Sequence, residues 1–204
     1  MKYLYTLFIF LSLSLSYVSA SEKDAVNSIY KKYRGALLEK NGKDAWLCID
    51  KKTQQYYSTI LATSLTIDRK SFDKSTILDK LIIARVRTEF NKSELEKMNG
   101  KALFVHAVKS GLIDARTVSK LDSLEDIKID GDHATALHTP EYAGFHFIKE
   151  DSWKFSLVKA IEIGNQAMKK LCEANQMTEE QLLTALLSRL YPDFDTSVFN
   201  KVRD

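Results

Sequence analysis

Two side chains stand where a polar group needs a reason, Arg85 and His106. Helical spacing puts Arg85 in register with Leu78, Leu81 and Ile82 on a face that should be buried, and a buried guanidinium requires a partner. It could anchor the carboxylate or other anion of a ligand, or pair internally with Glu89 one turn on. His106 sits inside the apolar run Ala102 to Val108, where an imidazole could move protons near neutral pH. Its plainer role is a hydrogen bond to a backbone carbonyl. The plainer role is the weightier one in both cases, because buried polar groups are as a rule satisfied within the fold.

His133, His138 and His146 suggest a metal, but His133 and His138 have opposite parity along one strand and point to opposite faces. A hairpin pairing His138 with Phe145 turns His146 away as well, so no metal ligand set is expected. Tyr57, Phe147 and Trp153 could line a ligand cavity, or simply fill a core as aromatic residues more often do. Cys48 and Cys172 could form a disulfide in an oxidising compartment, or remain two separate buried thiols among their apolar neighbours. Neither has a CxxC or zinc-type partner, and no GxSxG, HExxH, Walker-type or GxGxxG motif occurs.

The elements that must carry these residues follow from periodicity. Val26, Ile29, Tyr30, Tyr33, Leu37 and Leu38 predict an amphipathic helix over 23–40 that Gly42 stops. Helical turns follow at 44–49 and 53–65, with 67–74 a loop and Ser75 or Thr76 capping a helix that runs to Phe90. Ser93 to Glu96 has capping-box spacing, and 102–110 is a buried helix closed by Gly111, with one further turn at 114–120. The period then falls to two. Residues 127–129, 133–138, 145–149 and 153–158 read as strands, the first pair joined at Asp130-Gly131. A three-residue loop at 150–152 pairs Lys149 with Trp153 and keeps Phe145, Phe147, Trp153, Phe155 and Leu157 on one face, at the cost of a left-handed Ser152. Two helices follow, 160–175 and one opened by the capping box Thr178 to Gln181 and ended by Pro192, with a loosely ordered tail over 192–204.

Lys2, the apolar stretch Leu4 to Leu15 and Val18-Ser19-Ala20 have the layout of a secretory signal peptide over 1–20. Cleavage leaves 184 of the 204 residues, with 29 basic against 27 acidic, so the expected protein is exported, periplasmic or secreted. No later stretch is long enough to span a bilayer, so no stable membrane insertion is expected. The near-neutral charge, spread through helices, offers no footprint for nucleic acid. At 45% hydrophobic and 28% charged, with seven Gly and two Pro, the chain is globular.

Helices first, then strands carrying Phe145-His146-Phe147-Ile148-Lys149-Glu150-Asp151-Ser152-Trp153-Lys154, preceded by Ile129-Asp130-Gly131-Asp132-His133-Ala134-Thr135-Ala136, resemble the nuclear transport factor 2-like, cystatin-like superfamily. Ser152 stands where glycine is commoner in that pattern. The resemblance covers about 23–158, and it implies an α+β cone in which N-terminal helices pack on a curved antiparallel sheet of about four strands, often around an apolar cavity. On it the chain divides into the signal at 1–20, the α+β domain at 21–158, a helical extension at 159–191 and the tail. Its members include isomerase-like and dehydratase enzymes as well as noncatalytic binding domains, so it fixes no reaction.

The expectation is an exported, noncatalytic domain without cofactor that binds an apolar small molecule or a protein partner through the cavity or sheet face, with Arg85, His106, Tyr57, Phe147 and Trp153 as the candidate ligand-binding residues. The alternatives are a small cavity enzyme using His106 with Arg85 or a tyrosine, and an interaction protein docking through Leu182, Leu186 and Leu190. A homodimer is compatible with each.

Overall fold

The change of period from 3.6 to 2 near residue 127 divides helices from strands as the sequence predicts. A computed structural model describes residues 21–113, 122–136 and 144–204. The expected signal peptide at 1–20, the turn expected at 114–120, His138 and most of the loop expected after it lie outside the described residues. Helix α1 spans 21–38 and is followed by α2 (Gly42–Cys48), α3 (Lys51–Thr66), α4 (Arg69–Lys74), α5 (Ile77–Glu89), α6 (Lys92–Glu96) and α7 (Gly100–Lys109). Strands β1 (Lys128–Asp130), β2 (His133–Ala136), β3 (Phe145–Lys149) and β4 (Trp153–Phe155) precede α8 (Leu157–Ala174), α9 (Glu179–Leu190) and a 3-10 turn over Thr196–Phe199. The class is α+β, with one open antiparallel sheet in the order β1-β2-β3-β4.

Two compact units interleave along the chain, one from residues up to 50 together with 108–156, the other from 51–107 with 157–204. In the first unit, α1 buries Val26, Tyr30, Tyr33 and Leu37. Tyr33 stacks on Phe155 at 4.5 Å between ring centroids, and Tyr30 meets Phe145 at 5.4 Å. Phe147 packs edge-on against Phe155 at 5.1 Å. Lys149 pairs with Trp153 and Phe147 with Phe155, so the three-residue loop and the single aromatic face are as predicted, but β4 ends at Phe155 and Leu157, expected on the same strand, opens α8 instead. Phe145 and Phe155 press on the two tyrosines of α1, with Phe147 behind Phe155, and the buried aromatic area of this seam stabilises the unit.

Several local expectations are corrected. Gly42 opens α2 instead of stopping α1; the turn is made at Lys40, whose φ of 53° lets the Asn41 amide reach the Ala36 carbonyl at 2.8 Å. Ser152 is not left-handed, because the loop closes through the Glu150 amide on the Ser152 carbonyl instead. Ala136, not His138, stands opposite Phe145. Cys48 and Cys172 are both buried free thiols, one of the two readings that the sequence leaves open, and the Cys48 Sγ donates within its own helix to the Asp44 carbonyl at 3.3 Å.

In the second unit, the expected loop at 67–74 is the helix α4. Asp68 caps it by accepting from the Ser71 amide at 2.8 Å, and Phe72 supplies the buried anchor, stacked on Phe199 at 5.5 Å. A polar surface had hidden one aromatic worth burying. The capping box of α6 is Asn91 with Glu94, two residues before the expected Ser93. Thr76 caps α5, and the Thr178 and Gln181 box opens α9, as predicted. The tail is not loose: Val198, Phe199 and Val202 are buried.

Gly100 begins α7 against α3, where an added Cβ would lie 2.7 Å from the Ser58 amide nitrogen and 2.8 Å from its Cα. Backbone cannot yield there. Gly35, inside α1, has nothing within 4 Å of the same position. Gly100→Ala should therefore lose about 1–3 kcal/mol through overpacking, while Gly35→Ala should gain up to about 1 kcal/mol of helix propensity. Urea denaturation of both variants checks this opposition of sign.

Candidate functional site

The phase of α5 decides which cation is inside. Leu78, Leu81, Ile82 and Arg85 are only half-buried, whereas Ile77, Lys80, Ile83, Ala84, Val86 and Arg87 are buried. Both stripes have helical spacing and apolar members, so periodicity alone could not choose between them. Arg87 is 0% exposed and was not singled out from the sequence. Its guanidinium donates to the carbonyls of Ser64 at 2.8 Å, Ile67 at 2.7 Å and Val198 at 3.0 Å. Ser64 lies in the last turn of α3 and Ile67 directly follows it, where carbonyl dipoles at a helix C-terminus favour a cation. Burial draws the Arg87 pKa down, yet an arginine remains charged. Its role is structural.

Arg85 lies at the edge of the same helix and takes the internal pairing open to it: its Nε bonds Glu89 Oε1 at 2.8 Å. His106 Nε2 meets the other oxygen, Glu89 Oε2, at 2.5 Å, and the Tyr191 hydroxyl donates to Oε1. The Arg85 guanidinium also lies over the Tyr191 ring at 5.9 Å, and Phe90 packs edge-on against His106 at 4.7 Å. The structure thus brings Arg85 and His106 together, with Glu89 as the hub and Tyr191 as a fourth member. Burial raises the Glu89 carboxyl, but the hydrogen bonds from Tyr191, Arg85 and His106 outweigh it and hold the group below its ordinary range. Burial and the same bond push the Tyr191 phenol well up.

Both oxygens of Glu89 are engaged by neighbours from α5, α7 and the end of α9. A carboxylate so occupied serves as a clamp and is poorly placed to abstract a proton. Tyr57 is elsewhere in this unit, buried edge-on against Phe104 at 5.0 Å. Phe147 and Trp153 belong to the sheet of the other unit, both buried. The Trp153 ring carries the Lys149 ammonium at 5.8 Å, and its Nε1–H is buried without an acceptor. Among the described residues no group of three or more His, Cys, Asp or Glu could hold a metal ion, and no helix is long and apolar enough to cross a membrane.

A second surface feature lies on α8. Leu157, Val158, Ile161 and Met168 are half-buried and Cys172 is buried along its inner side, where Asn165 accepts from the Leu78 amide at 2.9 Å. A different apolar stripe, Ala160, Ile163, Ala167, Leu171 and Ala174, faces water, with Ile163 37% and Leu171 44% exposed. Exposed alanines are ordinary on a helix, so Ile163 and Leu171, two turns apart on this line, are the large apolar side chains that the face leaves to water. On α9 the expected docking face divides: Leu182 is buried in its own core and Leu186 half-buried, leaving Leu190 exposed.

No family model, curated protein or solved structure matches this chain. The geometry of the two surfaces therefore carries the functional argument.

Two outcomes check the cluster. Arg87→Met leaves three carbonyls without a donor and should cost about 3 kcal/mol or more, with faster hydrogen exchange at Val198 and Phe199. Because folding lowers the Glu89 pKa, its contribution is complete above the ordinary glutamate value of about 4.3 and is lost as pH falls from there through the lowered value. Glu89→Gln should flatten that acid limb in a series of urea midpoints from about pH 7 to pH 3.

Proposed function

We propose that the chain is an exported, noncatalytic interaction domain, built on a nuclear transport factor 2-like sheet and helix pairing, that binds a protein partner through the apolar ridge of α8. The observation that carries this reading is the solvent-facing line Ala160, Ile163, Ala167, Leu171 and Ala174 on a helix whose opposite side is already packed. A helix keeps two apolar faces at a cost in solubility, and the common use of the outer one is a groove or helix of another chain. The sheet side supports the same reading. Its aromatic face is occupied by Tyr30 and Tyr33, so the rings fill the place where an apolar ligand would sit.

The polar cluster supports a noncatalytic role in its turn. His106 spends Nε2 on Glu89, and Glu89 spends both oxygens on side chains of the fold. One observation favours a small-molecule ligand instead, the buried Trp153 Nε1–H, a donor for which the fold supplies no acceptor.

Native mass spectrometry of the chain isolated from the exported fraction separates these readings. A bound protein chain is expected, absent from an Ile163→Glu, Leu171→Glu variant whose thermal midpoint is unchanged. A retained small molecule, still present in that variant and lost in Trp153→Phe, would overturn the proposal.

A further inference from the structure

Two asparagines sit in the same triplet, Asn-Gly-Lys: Asn41 before Gly42 and Asn99 before Gly100. Asparagine is most open to attack by its own backbone when glycine follows, because no side chain on the glycine blocks the approach. The glycine nitrogen gives up its proton and bonds to the asparagine Cγ, the Cγ–Nδ2 bond breaks, and ammonia leaves with that proton. Water then opens the imide at one of its two carbonyls. One opening leaves aspartate; the other leaves isoaspartate, whose main chain runs through the side-chain carbons and is one methylene longer. The triplets are identical, so the fold decides between the two sites.

Asn41 is held at both ends of its amide. Its Oδ1 accepts from the Asp44 amide at 3.2 Å, and its Nδ2 donates to the Asp44 carboxylate at 2.7 Å. The Gly42 nitrogen, which would have to attack, donates to the Lys40 carbonyl at 3.2 Å. The Asp44 charge also opposes the negative charge that builds on that nitrogen and on Oδ1 as the new bond forms.

Asn99 has none of these restraints. It is exposed, and its Oδ1 accepts from the Ala102 amide at 2.9 Å, a bond that polarises Cγ and stays in place as charge develops on the oxygen. Among the described residues no acceptor takes a hydrogen bond from its Nδ2 or from the Gly100 nitrogen. No acidic side chain stands in the first turn of α7, so the helix dipole favours the Gly100 anion unopposed.

We infer that Asn99 is a site of spontaneous modification in the folded chain, converting to aspartate and isoaspartate, while Asp44 protects Asn41. The two products act differently on α7. Aspartate caps the helix as asparagine does and adds a favourable charge. Isoaspartate displaces Gly100 where even a Cβ would lie 2.7 Å from the Ser58 nitrogen, so the start of α7 loses its seat on α3.

Peptide mapping by mass spectrometry of the full chain, aged in mildly alkaline buffer with and without urea, tests this. Folded, Asn99 should convert about tenfold or more faster than Asn41, the effect of hydrogen bonds that only Asn41 must break. In urea the two rates should converge. Asp44→Ala, at an exposed position, should raise the folded rate at Asn41 and leave Asn99 unchanged. Equal rates in the folded chain, or conversion of Asn99 that occurs only in urea, would overturn the inference. The isoaspartate fraction should exchange the amide hydrogens of α7 faster than Asn99→Asp, which carries the charge on a main chain of normal length. Equal exchange would overturn the effect assigned to the longer backbone.

Discussion

The helical unit depends on where one positive charge is buried. Arg87 is enclosed completely, and its charge is spread over carbonyls from the end of α3, the residue that follows it and the 3-10 turn near the C-terminus. Desolvating a guanidinium is expensive, so the three acceptors must all be in place together. That requirement holds the tail in position, and Arg203 completes it by donating to the carbonyls of Arg87 and Thr88 at the end of α5. The tail backbone joins too, the Lys92 amide bonding the Arg203 carbonyl at 2.8 Å. Two arginines thus bind a segment that its composition alone would leave free.

With Arg87 inside, Arg85 is carried to the rim two positions away on the helix, where Glu89 shares it with His106 and Tyr191. This is a consequence of helical geometry, for residues two apart cannot share a face. The cluster ties three helical segments through one carboxylate. Its acid sensitivity and its lack of a free base have the same origin, the complete engagement of both oxygens.

Much of the sheet was legible early. Alternation of aromatic and polar residues fixed the β3 and β4 register, since a slip of one residue would have turned Phe147 or Phe155 into water. The caps at Thr76 and Thr178 were equally readable, because a hydroxyl or carboxamide three residues from its partner amide is a local signal. The rest was less so. Helix α4 exists because Phe72 finds Phe199, more than a hundred residues away, and no local pattern announces that contact. Of the candidate residues, Arg85 and His106 were found and both reach Glu89, which entered only as a partner for Arg85, whereas Tyr191 entered not at all.

The sequence by itself determined most of the helices, the four strands and which aromatic residues share a face, because each of these is set by spacing over a few residues. Tertiary structure decided that 69–74 would be a helix, which of two equally apolar stripes on α5 turns inward, and which side of α8 is left to the water. Those choices depend on summed contacts between segments distant in the chain, and periodicity carries no information about the partner it will meet.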